Sequence, residues 1–198
     1  MRGGAWASSS QDYLRLAVDL YRLSSEYAKK YDGNVSMYPI AGIPLLISTI
    51  RAALIEANSG MFGLGQDKSS MACLASDQNE IGLIREKYVK ANTEVAVDFA
   101  LLYEVRNEIV HPAHTPAGTK HNTPKNMLPL RERGLLQSAG REEGDYTWIS
   151  QLQSHRLFRW SFFTVERVAE VVLGQHYSRQ DSRAAHFQSY QAYRKYDL

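Results

Sequence analysis

Between Leu157 and Leu173 the chain carries Leu157, Phe158, Trp160, Phe162, Phe163 and Val165, then Val168, Val171, Val172 and Leu173. At about 100° per residue these positions are apolar nearly all round a helix. A helix of that kind must be covered on more than one side: by a bundle of other helices, and then either by more of the same chain or by a second copy of it. It is expected to run from about Tyr146 to Tyr177, with a bend near Ser154 and His155.

Other segments supply the bundle. Ser8 to Ser10 offer caps for a first helix in which Tyr13, Leu16, Leu20, Leu23 and Tyr27 recur at helical spacing up to about Tyr31. Asp32-Gly33-Asn34 stops it. The second helix is predicted from about Pro44, a residue suited to a first turn, to Asn58, with Leu45, Leu46, Ile50, Leu54 and Ile55 on its apolar face. Met61 to Ser76 reads as a connector, since Gly63-Leu64-Gly65 lacks the Gly-Lys-Ser/Thr ending of a phosphate loop. Asp77 and Glu80 fit the start of a third helix ending near Lys90, and Thr93 caps a fourth that ends at His111. The expected fold is therefore all-α, one domain over residues 1–198, an antiparallel bundle of about five main helices with a flexible start over 1–9 and a tail or helix over 178–198. That tail interleaves Arg179, Arg183, Arg194 and Lys195 with Phe187, Tyr190, Tyr193 and Tyr196. Such mixing suits base stacking, but the helical spacing of Phe187, Tyr190 and Tyr193 favours a packing role.

Composition narrows the class. With 198 residues, 44% hydrophobic and 22% charged, the chain can bury a sizeable core in the manner of a soluble globular protein. No uninterrupted apolar run is long enough to span a bilayer, and MRGGAWASSS lacks the apolar segment of a signal peptide. Cys73 is alone, which excludes an intrachain disulfide and a cysteine-based zinc site. The expectation is a cytoplasmic protein with no membrane partner. A net charge of +2 is too mild to indicate nucleic-acid binding, so any RNA contact must come from local charge.

Local charge is found around Arg106-Asn107-Glu108-Ile109-Val110-His111-Pro112. The helix from Thr93 places Val95, Phe99, Leu102, Ile109 and Val110 on one stripe, with Tyr103 and Val105 at its margins and Arg106 in its middle. A guanidinium there is costly unless it is paired or lines a polar cleft. Asn107 and His111 share a face beside the stripe, with Glu104 near them. Pro112 ends the helix at His111, and a proton-bearing imidazole is favoured at the negative end of a helix, which suits a general acid. On the bland alternative Arg106 pairs with a carboxylate such as Glu56 or Glu80, and His111 is an ordinary terminal residue. Pro112, Pro116, Pro124 and Pro129, with Gly118 and Asn122, then rule out a long helix until at least Leu130. This loop carries His114, Lys120, His121 and Lys125 and no acidic residue, so it is either a solvated surface loop or a flap that guides phosphates. His111 and His114 lack a third ligand, so no metal and no cofactor is expected.

The string RNEIVHP, following FALLYEV, resembles the signature of the HEPN superfamily. The resemblance covers seven residues, with Arg106 as the motif arginine, Asn107 as the polar residue after it and His111 as the motif histidine; elsewhere it rests on helical character. It implies a HEPN-like helical bundle, a metal-independent endoribonuclease activity carried by those three residues, and a role as a toxin of a toxin–antitoxin pair or as a phage-defence effector. It also favours a homodimer over a monomer, and allows a protein antitoxin or regulatory partner. After His111 comes Pro112-Ala113 and not the His-x-Tyr arrangement of members whose tyrosine is modified, so neutralisation by that route is not expected. The chemistry follows from the residue types: RNA cleavage needs a base for the 2′-hydroxyl, charge stabilisation at the phosphoryl oxygens and an acid for the leaving 5′-oxygen. The rival reading is a catalytically inert bundle that binds RNA, a nucleotide or a protein, with Arg106 as a structural ion-pair partner.

Overall fold

The structure, a computed structural model, describes residues 9–31, 35–58, 93–111, 123–137, 148–176 and 187–197. Its first two helices are α1 (Ser9–Lys30) and α2 (Tyr38–Asn58). Glu56, near the end of α2, accepts from the backbone N–H of Ser10 at 3.0 Å and from its hydroxyl at 2.6 Å. A carboxylate thus meets the free N–H groups and positive dipole end of α1, and the two helices run antiparallel. The stop of α1 lies where the sequence places it, because its caps and breakers are local.

Helix α2 begins six residues before Pro44, which falls inside it and does not start it. An interior proline costs about 3 kcal/mol through its lost donor and ring clash. Against this stand Ile43, Leu46, Ile47, Ile50 and Leu54, all buried, each contributing about 1.5–3 kcal/mol. Burial wins, and the helix runs through. By length and composition the stretch Tyr38–Glu56 is apolar enough to cross a membrane, which the reading from Pro44 undercounted; in this fold it is the central helix, with α1 on one side and two further helices on others.

Those two are α3 (Glu94–Val110) and, after short helices α4 (Leu128–Glu132) and α5 (Trp148–Gln151), α6 (His155–His176). Arg167 of α6 reaches Glu94 at 3.2 Å at one end of α3, and Trp148 reaches Glu108 at 3.0 Å at the other. Hence α3 and α6 are antiparallel, as are α1 and α6, where Ser24 meets His155 and Tyr21 meets Phe162. The four long helices alternate in direction. Among the described residues there is no β-strand, only an isolated bridge between Val35 and Ser154.

The expected bend near Ser154 is a break. Leu152 to Ser154 separate α5 from α6, and the Ser154 hydroxyl caps α6 by accepting from the Leu157 N–H at 3.2 Å. The breadth of apolar surface on α6 is absorbed largely within the chain: Leu157, Phe158, Phe162, Val165, Val168 and Val172 are buried, while Phe163 is 44% exposed. Gly42 permits a close approach of α2 and α6, since a Cβ there would run into the Phe158 ring. The buried face of α3 is also wider than the predicted stripe, because α2 and α6 cover two sides of it: Tyr103 and Val105 are buried, whereas Val110 is exposed. The predicted helix over 77–90 lies outside the described residues.

In the tail, the aromatics pack. Tyr190 and Tyr193 are buried, and Tyr193 meets the rings of Tyr21 and Phe162. Glu166 accepts from the Tyr193 hydroxyl, Gln191 Nε2, and Arg194 Nε and Nη2 at 2.7–3.1 Å, which fixes residues 187–197 against α6. Burial, with the neighbouring Glu166, pushes the Tyr193 phenol well above its usual range. Burial and the hydrogen bond to Asp197 do the same for Tyr21.

Candidate functional site

The last turn of α3 gathers the motif. Arg106 Nη1 donates to Asn107 Oδ1 at 2.8 Å, and the His111 backbone N–H donates to the Asn107 carbonyl at 2.7 Å. Asn107 therefore binds both partners, the guanidinium with its side chain and the histidine with its backbone. Arg106 and Asn107 are half-buried, and His111 is exposed at the C-cap with φ −129° and ψ 66°, outside helical geometry, as a residue before proline should be. A guanidinium held by Asn107 and an accessible imidazole further along the same helix end are suited to holding an anion and moving a proton.

Neighbouring elements fix the helix end. Trp148 Nε1 donates to Glu108, tying α5 to the motif turn. Asn126 Nδ2 donates to Glu104 at 3.0 Å, bringing the 3₁₀ turn Lys125–Met127 back onto α3 with Met127 buried. Glu104, expected to contact substrate, is exposed and engaged in this anchoring bond. Lys125 is exposed on the anchored turn; His114, Lys120 and His121 lie outside the described residues. Of the carboxylates considered as structural partners for Arg106, Glu56 holds Ser10 and Glu80 lies outside the described residues. Glu108 and Trp148 went unnoticed in the sequence because they are 40 positions apart. No family model, curated protein or solved structure matches this chain.

A second polar cluster is structural. Ser24 Oγ lies 2.8 Å from His155 Nδ1 and 2.7 Å from Ser36 Oγ, with the Tyr21 ring 5.1 Å from the imidazole. Serine beside histidine can make a nucleophile, but Ser24, Ser36 and His155 are all buried, so the trio fastens α1, α6 and the segment before α2. Burial lowers the His155 pKa to about 4.

A cleft of about 650 Å³ opens elsewhere, and no motif residue lines it. One wall is the face of α6 bearing Arg156, Arg159, Trp160 and Phe163, at spacings of three, four and seven residues from the first. Another is the turn Arg133-Gly134-Leu135. Gly134 has φ +67°, and the bonds from Gly134 N–H to the Arg131 carbonyl and from Leu135 N–H to the Leu130 carbonyl close α4 in a Schellman motif. Tyr193, Arg194 and Asp197 complete it from the tail. The apolar pattern of this helix takes in Trp160 and Phe163 and passes over Arg156 and Arg159; the signal is Arg156-x-x-Arg159-Trp160-x-x-Phe163.

Proposed function

We propose that the chain is a metal-independent endoribonuclease of the HEPN type, with a HEPN-like bundle as its fold and Arg106, Asn107 and His111 as its active residues. The observation that carries the reading is the arrangement at the end of α3: a guanidinium oriented by Asn107 beside an exposed histidine. Arg106 holds phosphoryl oxygens through charge-assisted hydrogen bonds, which matter most as charge develops. His111 transfers protons. The 2′-oxygen attacks phosphorus as its proton leaves to a base, the bond to the 5′-oxygen breaks, and that oxygen takes a proton from an acid. The products are a 2′,3′-cyclic phosphate and a 5′-hydroxyl.

One imidazole cannot be base and acid at the same instant, so two motifs facing each other in a homodimer would supply both. Val110, 41% exposed next to His111, gives that end of α3 an apolar contact surface. Lys125, on a turn held to the same helix, adds positive charge for the strand. A toxin or phage-defence role, restrained by a protein partner, is the biological setting we propose. The test is incubation with RNA in EDTA and analysis of the ends. Cleavage to cyclic-phosphate ends that disappears in His111→Ala supports the reading; full activity in that variant removes His111 from the mechanism, and an unaltered RNA leaves the inert binding bundle.

A further inference from the structure

The arginine-lined cleft on α6 is separate from the motif and has its own chemistry. Arg133, Arg156, Arg159 and Arg194 line it against one carboxylate, Asp197. Three of these arginines are held by carboxylates: Arg133 by Asp98 at 2.6 Å, Arg159 by Asp197, itself in the cleft wall, at 3.3 Å and Arg194 by Glu166 at 2.7 Å. The acidic side chains are only 5%, 24% and 6% exposed, whereas the arginine side chains are 40%, 55% and 51% exposed. Each ion pair uses one or two of a guanidinium's five N–H donors. The acids thus orient the arginines and leave donors free for an anion.

The aromatic content decides what kind of anion fits. Phe163 is 44% exposed on the same face as Arg156 and Arg159, with Trp160 half-buried beside it. A bare anion would occupy the guanidiniums without touching the rings, of which Phe163 already carries the Arg167 guanidinium 5.5 Å from its centroid; an apolar ligand would strand the charges. A nucleotide uses both, because its phosphate matches the planar fork of arginine and its base stacks on an aromatic ring. The volume of about 650 Å³ is within the range of small-ligand clefts.

We propose that this cleft binds a nucleotide, its phosphate on the Arg156–Arg159 side and its base against Phe163 and Trp160. The nucleotide can come free or as a unit of an RNA strand. Asp98, which holds Arg133 at the cleft, precedes His111 by thirteen residues on α3, about 20 Å of helix. A strand seated in the cleft would have to run along α3 to reach the motif. That strand-bound form rests on the endoribonuclease reading; the free form does not.

The test uses the full chain carrying His111→Ala, so that RNA survives, titrated with adenosine 5′-monophosphate, inorganic phosphate and a short single-stranded oligoadenylate. Binding of the mononucleotide or the oligonucleotide is expected to weaken by about tenfold or more in Arg156→Glu and in Phe163→Ala, each read beside a melting curve that shows the variant folded. Binding of the mononucleotide assigns the free form; binding of the oligonucleotide alone assigns the strand. The proposal is overturned if neither binds, if both variants bind as the parent does, or if phosphate binds as tightly as the mononucleotide. Metal-free cleavage by the native chain with no cleft-dependent binding removes the cleft and keeps the nuclease. Cleft-dependent binding without cleavage does the reverse.

Discussion

Arg106 Nη1 donates to Asn107 Oδ1 at 2.8 Å, so the residue after the motif arginine fixes the plane of its guanidinium. Asn107→Ala should therefore leave the charge and the fold in place while loosening the clamp, lowering single-turnover cleavage by roughly tenfold to a hundredfold. Arg106→Lys keeps the charge and loses the fork, so RNA affinity should partly persist and most of the rate should vanish. Both rates are to be measured beside a melting curve of the same variant. Near-normal cleavage with a marked fall in melting temperature would make Arg106 a structural residue.

Exposure of His111 at the end of α3 predicts that its removal is harmless to the fold. His111→Ala should melt like the parent and lose about 10²–10⁴-fold in cleavage rate, the span typical of general acid–base catalysis. A strict requirement for added divalent metal in the native chain would sink the mechanism.

Pairing of two motifs predicts a homodimer by sedimentation, and recovery of measurable cleavage when Arg106→Ala and His111→Ala chains are mixed and allowed to exchange. A monomer that cleaves at full rate would show that one motif suffices.

Local signals and long-range ones separate clearly in this fold. The end of α1 and the end of α3 were legible because Asp32-Gly33-Asn34 and Pro112 act within a turn of where they stand. The start of α2 was not: Pro44 carries a local penalty, and only the burial of Ile43 and Leu46 in three dimensions outweighs it. Motif residues were legible as a string, but their supports, Glu108 to Trp148 and Glu104 to Asn126, join segments 40 and 22 residues apart. The cleft was hidden for the same reason, since Arg133 and Arg194 reach α6 from different parts of the chain.

Gly42 should tolerate no side chain. A Cβ 2.0 Å from the Phe158 ring must push α2 from α6 or force the ring off its rotamer, so Gly42→Ala should cost about 1–3 kcal/mol, read from denaturant unfolding. Adding Phe158→Leu to it should recover part of the loss, because the shorter side chain leaves room for the methyl. A Gly42→Ala protein as stable as the parent would show that the helices are not in close contact there.

His155 sets a pH window for stability. Burial is the main reason its pKa falls from 6.5 to about 4; Arg159 and Lys29 lower it further, and Asp197 opposes them. In the unfolded chain the imidazole protonates near 6.5, whereas in the folded chain it stays neutral until about pH 4. The unfolded state therefore binds more protons between these values, and stability falls as pH drops through the window, by about 3 kcal/mol in all. Above pH 6.5 this group contributes no slope, and below pH 4 its loss is complete. The measurement is urea unfolding between pH 7.5 and 4 for the native chain and for His155→Asn, which keeps a polar group near Ser24 but cannot titrate. The variant should be less stable at neutral pH and show a shallower fall below pH 6.5. Equal slopes in the two proteins would place the acid sensitivity in other groups.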